Sequence, residues 1–290
     1  MSVEHARARF ARVPFAERLG ITVEEVGPDH AVVVLPHHAD HMNAIGVLNG
    51  GASASLVTLA GTLAAWSGID LDAEPHLSCV DLSMQYLAAA ADGDVVAEAR
   101  VLRRGREVIF LDVAVGSRAG APICRGTLTY QVADYTGHTP RQRAEYRLLS
   151  PSPPLAAPDA LRLFRGYVAT LGIAPVHESP GRVRLRMPCT PQHVDERGHL
   201  HAGALASIVD IAAVSASWSL VGRRPGARGS TIGMQVSFPT LAADDVVADA
   251  HVQQRSEALL FNTVHVTTAT SGQLVAMGQV SYRLVEPWPP

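Results

Sequence analysis

One carboxylate lies inside a long apolar segment of this chain. Asp210 is the only charged residue between Gly203 and Gly222. Aspartate is seldom buried without a partner, and burial raises the pKa of a carboxyl group, a combination typical of functional sites. The residue type and its surroundings indicate a general base for water or a carboxylate nucleophile. The alternative is an aspartate on a helix face that caps a neighbouring loop.

Two adjacent glycines, Gly50 and Gly51, open a second apolar segment, which ends at Trp66. The first backbone N–H groups of a helix have no intrahelical partner, and the helix dipole favours negative charge at that end. Close packing of the helix against a strand would also select glycine. In the preceding loop, the side-chain amide of Asn43 is suited to orient water or a carbonyl group. An Asx-type turn, in which the same side chain binds its own loop, explains the residue as well.

These two segments are copies of one another. Equivalent positions are 152 residues apart, as in Leu19 and Leu171. The register needs no gap from Leu19 to about Asp92, slips by one residue after that, and recovers by Gly126 and Gly278. Its matches include Pro36/Pro188, His41/His193, Gly46/Gly198, Gly51/Gly203, Ser55/Ser207 and Trp66/Trp218. So many matches in one register indicate a duplicated domain.

The pattern of each copy predicts an α+β unit. A short helix (Pro14 to Leu19, or Pro158 to Thr170) precedes an alternating strand such as residues 182–187, then a glycine-containing loop and one long helix. Strands follow, in the first copy at Leu77–Tyr86, Asp94–Arg103, Val108–Gly116 and Pro122–Gln131. One helix covers only one face of four or five antiparallel strands, so the copies should pair edge to edge as an intramolecular pseudo-dimer. We expect domains at 1–138 and 159–290, joined by a proline-rich linker at 139–158.

The loops before the long helices carry a family signature. They read HMNAIGVLNGG at 41–51 and HVDERGHLHAG at 193–203. Both resemble the H-x-N-x-x-G-x-x-H-G-G signature of hotdog-fold acyl-CoA thioesterases of the phenylacetyl-CoA (PaaI-like) type. The resemblance implies two tandem hotdog domains and thioester hydrolysis of a small or medium acyl-CoA, with no metal or cofactor beyond the coenzyme A of the substrate. Pairing of two such chains into a homodimer of pseudo-dimers is also compatible with it.

Neither copy retains every family residue. The family has an Asp on the helix, which corresponds to Thr58 in the first copy and Asp210 in the second. In homodimeric relatives a site takes its loop from one subunit and this Asp from the other, so the resemblance implies two unequal sites. The predicted working site combines Asn43, Asn49, Gly50, Asp210 and Thr231, with the Gly50 amide in the oxyanion hole. The predicted degenerate site combines Asp195, His201, Ala202 and Thr58.

Several of these residues have a second interpretation. His201 matches the second His of the family signature, yet it falls in the predicted degenerate site, so a structural role and a catalytic role both stay open. Cys79 is the counterpart of Thr231. His41 and His193 are interpreted as loop anchors. Thr58 is disfavoured as a hydroxyl nucleophile.

A basic turn is the candidate for binding the phosphates of coenzyme A. It contains Arg103, Arg104 and Arg106, and its counterpart in the second copy, Gln254 to Glu257, has lost most of this charge. Arginine at a turn suits phosphate recognition. A solubilising hairpin tip is the alternative.

The composition excludes several classes of protein. Hydrophobic residues make up 47% and charged residues 18%, which is not the composition of a disordered chain. A net charge of −3 argues against nucleic acid as a partner. Three cysteines without a CxxC spacing support neither disulfides nor a thiolate metal site.

No secretory signal or membrane segment is predicted, so a cytoplasmic protein is expected. A non-catalytic acyl-CoA-binding protein is the main alternative function; a hotdog hydratase and a DNA-binding regulator are disfavoured.

Overall fold

A computed structural model describes residues 3–69, 76–133, 164–222 and 226–285. The predicted linker at 139–158 lies outside these residues. The first copy contains helices α1 (Val3–Phe10), α2 (Pro14–Arg18) and α3 (Gly50–Trp66) and strands β1 (Thr22–Gly27), β2 (His30–Leu35), β3 (His76–Tyr86), β4 (Val95–Arg104), β5 (Val108–Ser117) and β6 (Pro122–Ala133). The second contains helices α4 (Tyr167–Thr170) and α5 (Ala202–Val221) and strands β7 (Ala174–Ser179), β8 (Arg182–Met187), β9 (Arg228–Ser237), β10 (Val246–Ser256), β11 (Leu259–Thr268) and β12 (Leu274–Val285).

The predicted α+β class is confirmed, with corrections to three elements. In the described residues each copy has six strands rather than four or five, because an additional hairpin strand precedes the alternating one. The helix predicted to reach Thr170 is helical, within the described residues, only from Tyr167, since Gly166 has a φ of 53° that an α-helix does not accept. Helix α1 was not predicted; it is short and buries Ala6 and Phe10.

All twelve strands form one antiparallel sheet in the order β1-β2-β4-β5-β6-β3-β9-β12-β11-β10-β8-β7. The copies meet where β3 pairs with β9, as the predicted edge-to-edge pairing requires. Ser83 lies opposite Gln235, its own counterpart in the duplication. A pseudo-two-fold axis therefore passes through this pair, so each copy presents the same surfaces to the other.

The two long helices cross on this axis. The hydroxyl oxygens of Ser55 and Ser207, again a duplicated pair, are 3.2 Å apart. A Cβ atom on Gly51 would lie 2.9 Å from Cα of Ser207, and one on Gly203 would lie 2.8 Å from Cα of Ser55. Glycine at both positions is therefore what lets the helix backbones approach so closely.

Because the sheet covers one side of each helix and the other helix covers the opposite side, both helices are apolar all round. Every residue of α3 from Gly51 to Trp66 is buried. Helix α5 has the length and apolar composition of a membrane span, but it is a core helix of which most residues are buried.

Candidate active site

Asp210 reaches the first turn of α3 across the domain boundary. Its side chain is on α5 and the residue is 4% exposed. A Cβ atom on Gly50 would lie 2.6 Å from Oδ2 of Asp210, so the carboxylate occupies the space beside the helix end that a side chain at position 50 would fill. The structure thus brings together Gly50 from the first copy and Asp210 from the second.

Thr231 binds the other carboxylate oxygen. Its hydroxyl donates to Oδ1 of Asp210 at 2.6 Å. The pairing of β9 with β12 shifts register beside Thr231, where Ile232 is the extra residue. A β-bulge of this kind redirects a side chain, and the bulge accompanies the hydrogen bond from β9 to the helix. Thr231 and Asp210, which the sequence analysis grouped in one site, therefore form a direct hydrogen bond.

The environment of Asp210 shifts its protonation toward neutral pH. Burial raises the pKa of the carboxyl group to about 6, and hydrogen bonds from the Thr231 hydroxyl and the Gly51 N–H oppose that rise. Loss of hydration disfavours the charged form, whereas the two donors stabilise it. The carboxylate is deprotonated at pH 7 and remains a better proton acceptor than an exposed aspartate.

Asn49 and His201 cap the two long helices in the same way. Oδ1 of Asn49 accepts the N–H of Gly51 at 2.8 Å, and Nδ1 of His201 accepts the N–H of Gly203 at 3.0 Å. Burial lowers the pKa of His201 to about 3, so the ring is neutral and its proton is on Nε2. Each cap therefore retains an N–H donor that the helix does not use: the amide of Asn49 and the Nε2–H of His201.

Asn43 is used within its own loop. Its Oδ1 accepts N–H bonds from Ile45 at 3.0 Å and Val47 at 3.2 Å. Asp195 makes the same arrangement in the second copy, accepting from Arg197 and His199, both at 2.9 Å. The structure therefore favours the Asx-turn interpretation of Asn43, and the change to Asp195 preserves the acceptor that this turn needs. Burial raises the pKa of Asp195, and its backbone donors oppose the rise.

His41 and His193 hold the starts of these loops. Nδ1 of each ring lies within hydrogen-bonding distance of a proline carbonyl, 3.0 Å from that of Pro36 and 2.8 Å from that of Pro188. Both side chains are buried, and burial lowers both pKa values. These contacts agree with the loop-anchor interpretation.

Tyr86 is a site residue that the sequence analysis missed. Its hydroxyl donates to the carbonyl oxygen of Gly50 at 3.1 Å. The pKa of Tyr86 is raised by burial and also by the charge of Asp210. Its counterpart in the duplication is Phe238, which has no hydroxyl. That difference was a signal in the sequence, because the site that keeps the carboxylate also keeps the tyrosine.

A cleft beside the N-terminus of α5, the second cleft below, is lined by Asp195, His201 and Ala202 of the predicted degenerate site and by Cys79, whereas Thr58 is fully buried next to it. Thr58 donates its hydroxyl to the Ser55 carbonyl at 2.9 Å, within its own helix, and the Tyr130 hydroxyl donates to the Thr58 carbonyl at 2.9 Å. Cys79 donates to the Asp81 carbonyl at 3.5 Å, and burial raises its pKa well above the ordinary value. Neither Thr58 nor Cys79 is therefore an activated nucleophile. The apolar part of the cleft's lining includes Trp66, Leu77, Leu200, Leu205, Phe238 and Leu241.

The basic turn lies at the other end of α3 from Gly50. Arg104 forms an ion pair with Asp29, with Nε 2.9 Å from Oδ1, and donates to the Ala65 carbonyl at 3.0 Å. A phosphate at Arg104 would have to displace Asp29, so the structure favours a structural role for this residue. Arg103 and Arg106 are exposed. Their binding of coenzyme A stays a prediction.

Comparison with known proteins relates this arrangement to a family. Residues 45–124 match the family model described as the thioesterase superfamily. The chain is 31% identical over 123 residues to human acyl-coenzyme A thioesterase 13, a match of 41% of this chain and 86% of that protein. A putative esterase from Pseudomonas aeruginosa is 28% identical over 121 residues, which are 41% of this chain and 81% of the esterase.

Solved structures match nearly the whole chain. A protein with a hotdog fold from Alicyclobacillus acidocaldarius has a TM-score of 0.66 at 16% identity, covering 96% of this chain and 98% of its own. An acyl-CoA thioesterase II from Mycobacterium marinum has a TM-score of 0.61 at 15% identity, covering 94% and 98%. At these identities the likeness concerns the fold. Together with the sequence relatives, it establishes that the chain belongs to the thioesterase superfamily and has the hotdog fold in tandem.

Proposed function

We propose that this chain hydrolyses the thioester of a small or medium acyl-CoA at one composite site between the two copies. The observation that carries the proposal is the approach of Asp210, on α5, to the glycine-opened first turn of α3. A buried carboxylate with a pKa near 6 then faces backbone N–H groups that no helix carbonyl uses. Relatives named acyl-CoA thioesterases support the choice of substrate.

In the proposed reaction, Asp210 takes a proton from water while the water oxygen bonds to the thioester carbon. The negative charge that develops on the carbonyl oxygen is held by the N–H of Gly50 and the amide of Asn49. The carbon–sulfur bond then breaks, the carboxylic acid is released, and the thiolate of coenzyme A takes the proton from Asp210. Thr231 positions the carboxylate throughout, since its hydroxyl stays bonded to Oδ1.

Direct attack by Asp210 on the thioester carbon is the alternative route. It would form a mixed anhydride, which water would cleave at the aspartyl carbon. A single turnover in ¹⁸O-labelled water separates the two routes. We expect one ¹⁸O atom in the released acid in the first turnover, whereas the anhydride route would release unlabelled acid.

Thiol release from a panel of aliphatic and aromatic acyl-CoAs tests the proposal. We expect Asp210→Asn to abolish turnover and Thr58→Ala, the matched change in the second cleft, to leave most of it. Equal losses in the two variants would contradict a single working site. Binding of acyl-CoA without turnover by the wild-type protein would favour the non-catalytic alternative.

A further inference from the structure

The second cleft keeps the features of a binding site without those of a catalytic one. It lies beside the N-terminus of α5 and is lined by apolar side chains from both copies, among them Trp66, Leu205 and Leu241. We propose that this cleft binds an acyl group, as a thioester or as the released acid, and does not hydrolyse it. The choice of an acyl ligand rests on the proposed function of the first site.

The buried side chain of His201 has one hydrogen-bond donor without an acceptor among the residues that the structure describes. His201 is 6% exposed and lines the cleft, and its Nδ1 is occupied by the N–H of Gly203. Its other ring contact in the described part of the chain is with Phe15, at 5.1 Å between centroids. Because the neutral ring carries its proton on Nε2, a donor is directed at a ligand acceptor in a largely apolar cavity. A carbonyl or carboxylate oxygen at the end of an apolar chain meets that requirement.

Within the described residues, the lining has no carboxylate from the crossing helix, where the first site has Asp210. Thr58 replaces the helix carboxylate, and its hydroxyl is committed to the Ser55 carbonyl. Of the two carboxylates that line the cleft, Asp195 accepts two backbone N–H groups within its turn. Glu196 forms an ion pair with Arg9, with Oε1 2.8 Å from Nη2. A ligand would therefore be bound with its bond to sulfur intact.

The loss of charge at position 58 also changes which ligand is accepted. In the first site a buried carboxylate next to the helix N-terminus would repel a second carboxylate, such as a released acid. In the second cleft the corresponding side chain is neutral, and the N-terminus of α5 favours negative charge. Because Asp195 and Glu196 also line this cleft, the thioester and the acid both need to be measured as ligands.

The number of ligands bound per chain tests the proposal. The probes are octanoate and 2-oxononyl-CoA, an analogue in which a methylene between sulfur and carbonyl prevents hydrolysis. Isothermal titration should give two molecules of the analogue per wild-type chain and one per His201→Leu chain. The matched change in the first site, Asn49→Leu, should also reduce binding to one molecule of the analogue per chain, and it should cause loss of turnover. His201→Leu should keep turnover of octanoyl-CoA within about twofold.

A second variant keeps the proposal testable if His201→Leu fails to fold. Leu241 lines the cleft and is 39% exposed, so Leu241→Asp introduces a charge at little risk to the core. We expect it to weaken octanoate binding at least tenfold. One analogue per wild-type chain, with octanoate affinity unchanged by both variants, would overturn the proposal. Two bound analogues without any hydrolysis of octanoyl-CoA would overturn the proposed function and support the second cleft as a binding site.

Discussion

At the scale of the residue, burial of Asp210 both prepares the carboxylate for catalysis and opposes folding. In the unfolded chain an aspartyl carboxyl has a pKa near 3.8, and in the folded chain burial raises it to about 6. Between these values the unfolded state binds fewer protons, so stability falls as the pH rises and stays lower above pH 6. The difference corresponds to about 3 kcal/mol.

Removal of the charge should therefore stabilise the fold. We expect Asp210→Asn to increase the free energy of unfolding by about 1–3 kcal/mol at pH 8 while abolishing turnover. The gain should shrink as the pH is lowered from 6 to 4, because the wild-type carboxyl becomes protonated over this interval. Urea unfolding at pH 8 and pH 4 measures both values. Equal stability of the two proteins at pH 8 would contradict a buried, charged Asp210.

Thr231 should set the pH at which the enzyme loses activity. A general base must be deprotonated, so kcat/KM should fall as the pH drops through about 6. Thr231→Val lacks the hydroxyl that stabilises the carboxylate. It should therefore move the acidic limb of the kcat/KM profile upward by about one pH unit. Cys79→Val, the matched change in the second cleft, should leave it in place. An unmoved limb in Thr231→Val would show that the hydroxyl does not tune the base.

At the scale of the element, the first turns of α3 and α5 have diverged together. Gly50 leaves room for the Asp210 carboxylate, and a Cβ atom there would lie 2.6 Å from Oδ2. The corresponding position on α5 is Ala202, and the counterpart of Asp210 on α3 is Thr58. Glycine at the start of one helix therefore accompanies aspartate on the other, whereas alanine accompanies the shorter side chain of threonine.

Gly50→Ala should consequently disable the first site. A methyl group 2.6 Å from Oδ2 would displace the carboxylate on the ångström scale, and misplacement on that scale costs about a hundredfold in rate. We expect kcat to fall by about that factor with little change in the melting temperature. Ala202→Gly serves as the control and should keep wild-type kcat. Full activity of Gly50→Ala would mean that the carboxylate does not act from its present position.

At the scale of the whole molecule, the site exists because two glycines let the long helices cross closely on the pseudo-two-fold axis. Gly51→Ala would place a Cβ atom 2.9 Å from Cα of Ser207, a contact that only a shift of backbone relieves. We expect a loss of about 1–3 kcal/mol in the free energy of unfolding, together with a loss of turnover. Gly27→Ala, where nothing lies within 4 Å, should change stability by less than about 0.5 kcal/mol in a urea titration. Equal effects of the two changes would contradict a tight crossing.

The sequence by itself determined the duplication, the α+β class, the residues at which both long helices begin and most strands of the first copy. These follow from local spacing, since glycines, alternation and uninterrupted apolar residues act on their own neighbours in the chain. It also singled out Asp210, because a lone carboxylate in an apolar helix is visible without a structure. The divergence of Tyr86 from Phe238 was visible as well, but its meaning depended on knowing that the side chain reaches Gly50.

Only the tertiary structure decided which of these residues meet. Its pseudo-two-fold axis relates the helices so that Asp210 contacts the first turn of the other copy, and a bulge in β9 accompanies the bond from Thr231 to the carboxylate. It directs Asn43 into its own turn and leaves the amide of Asn49 and Nε2–H of His201 as donors that the two helix caps do not use. The reason is physical: hydrogen bonds and desolvation depend on atoms that are distant in the chain. Spacing along the sequence does not record their positions.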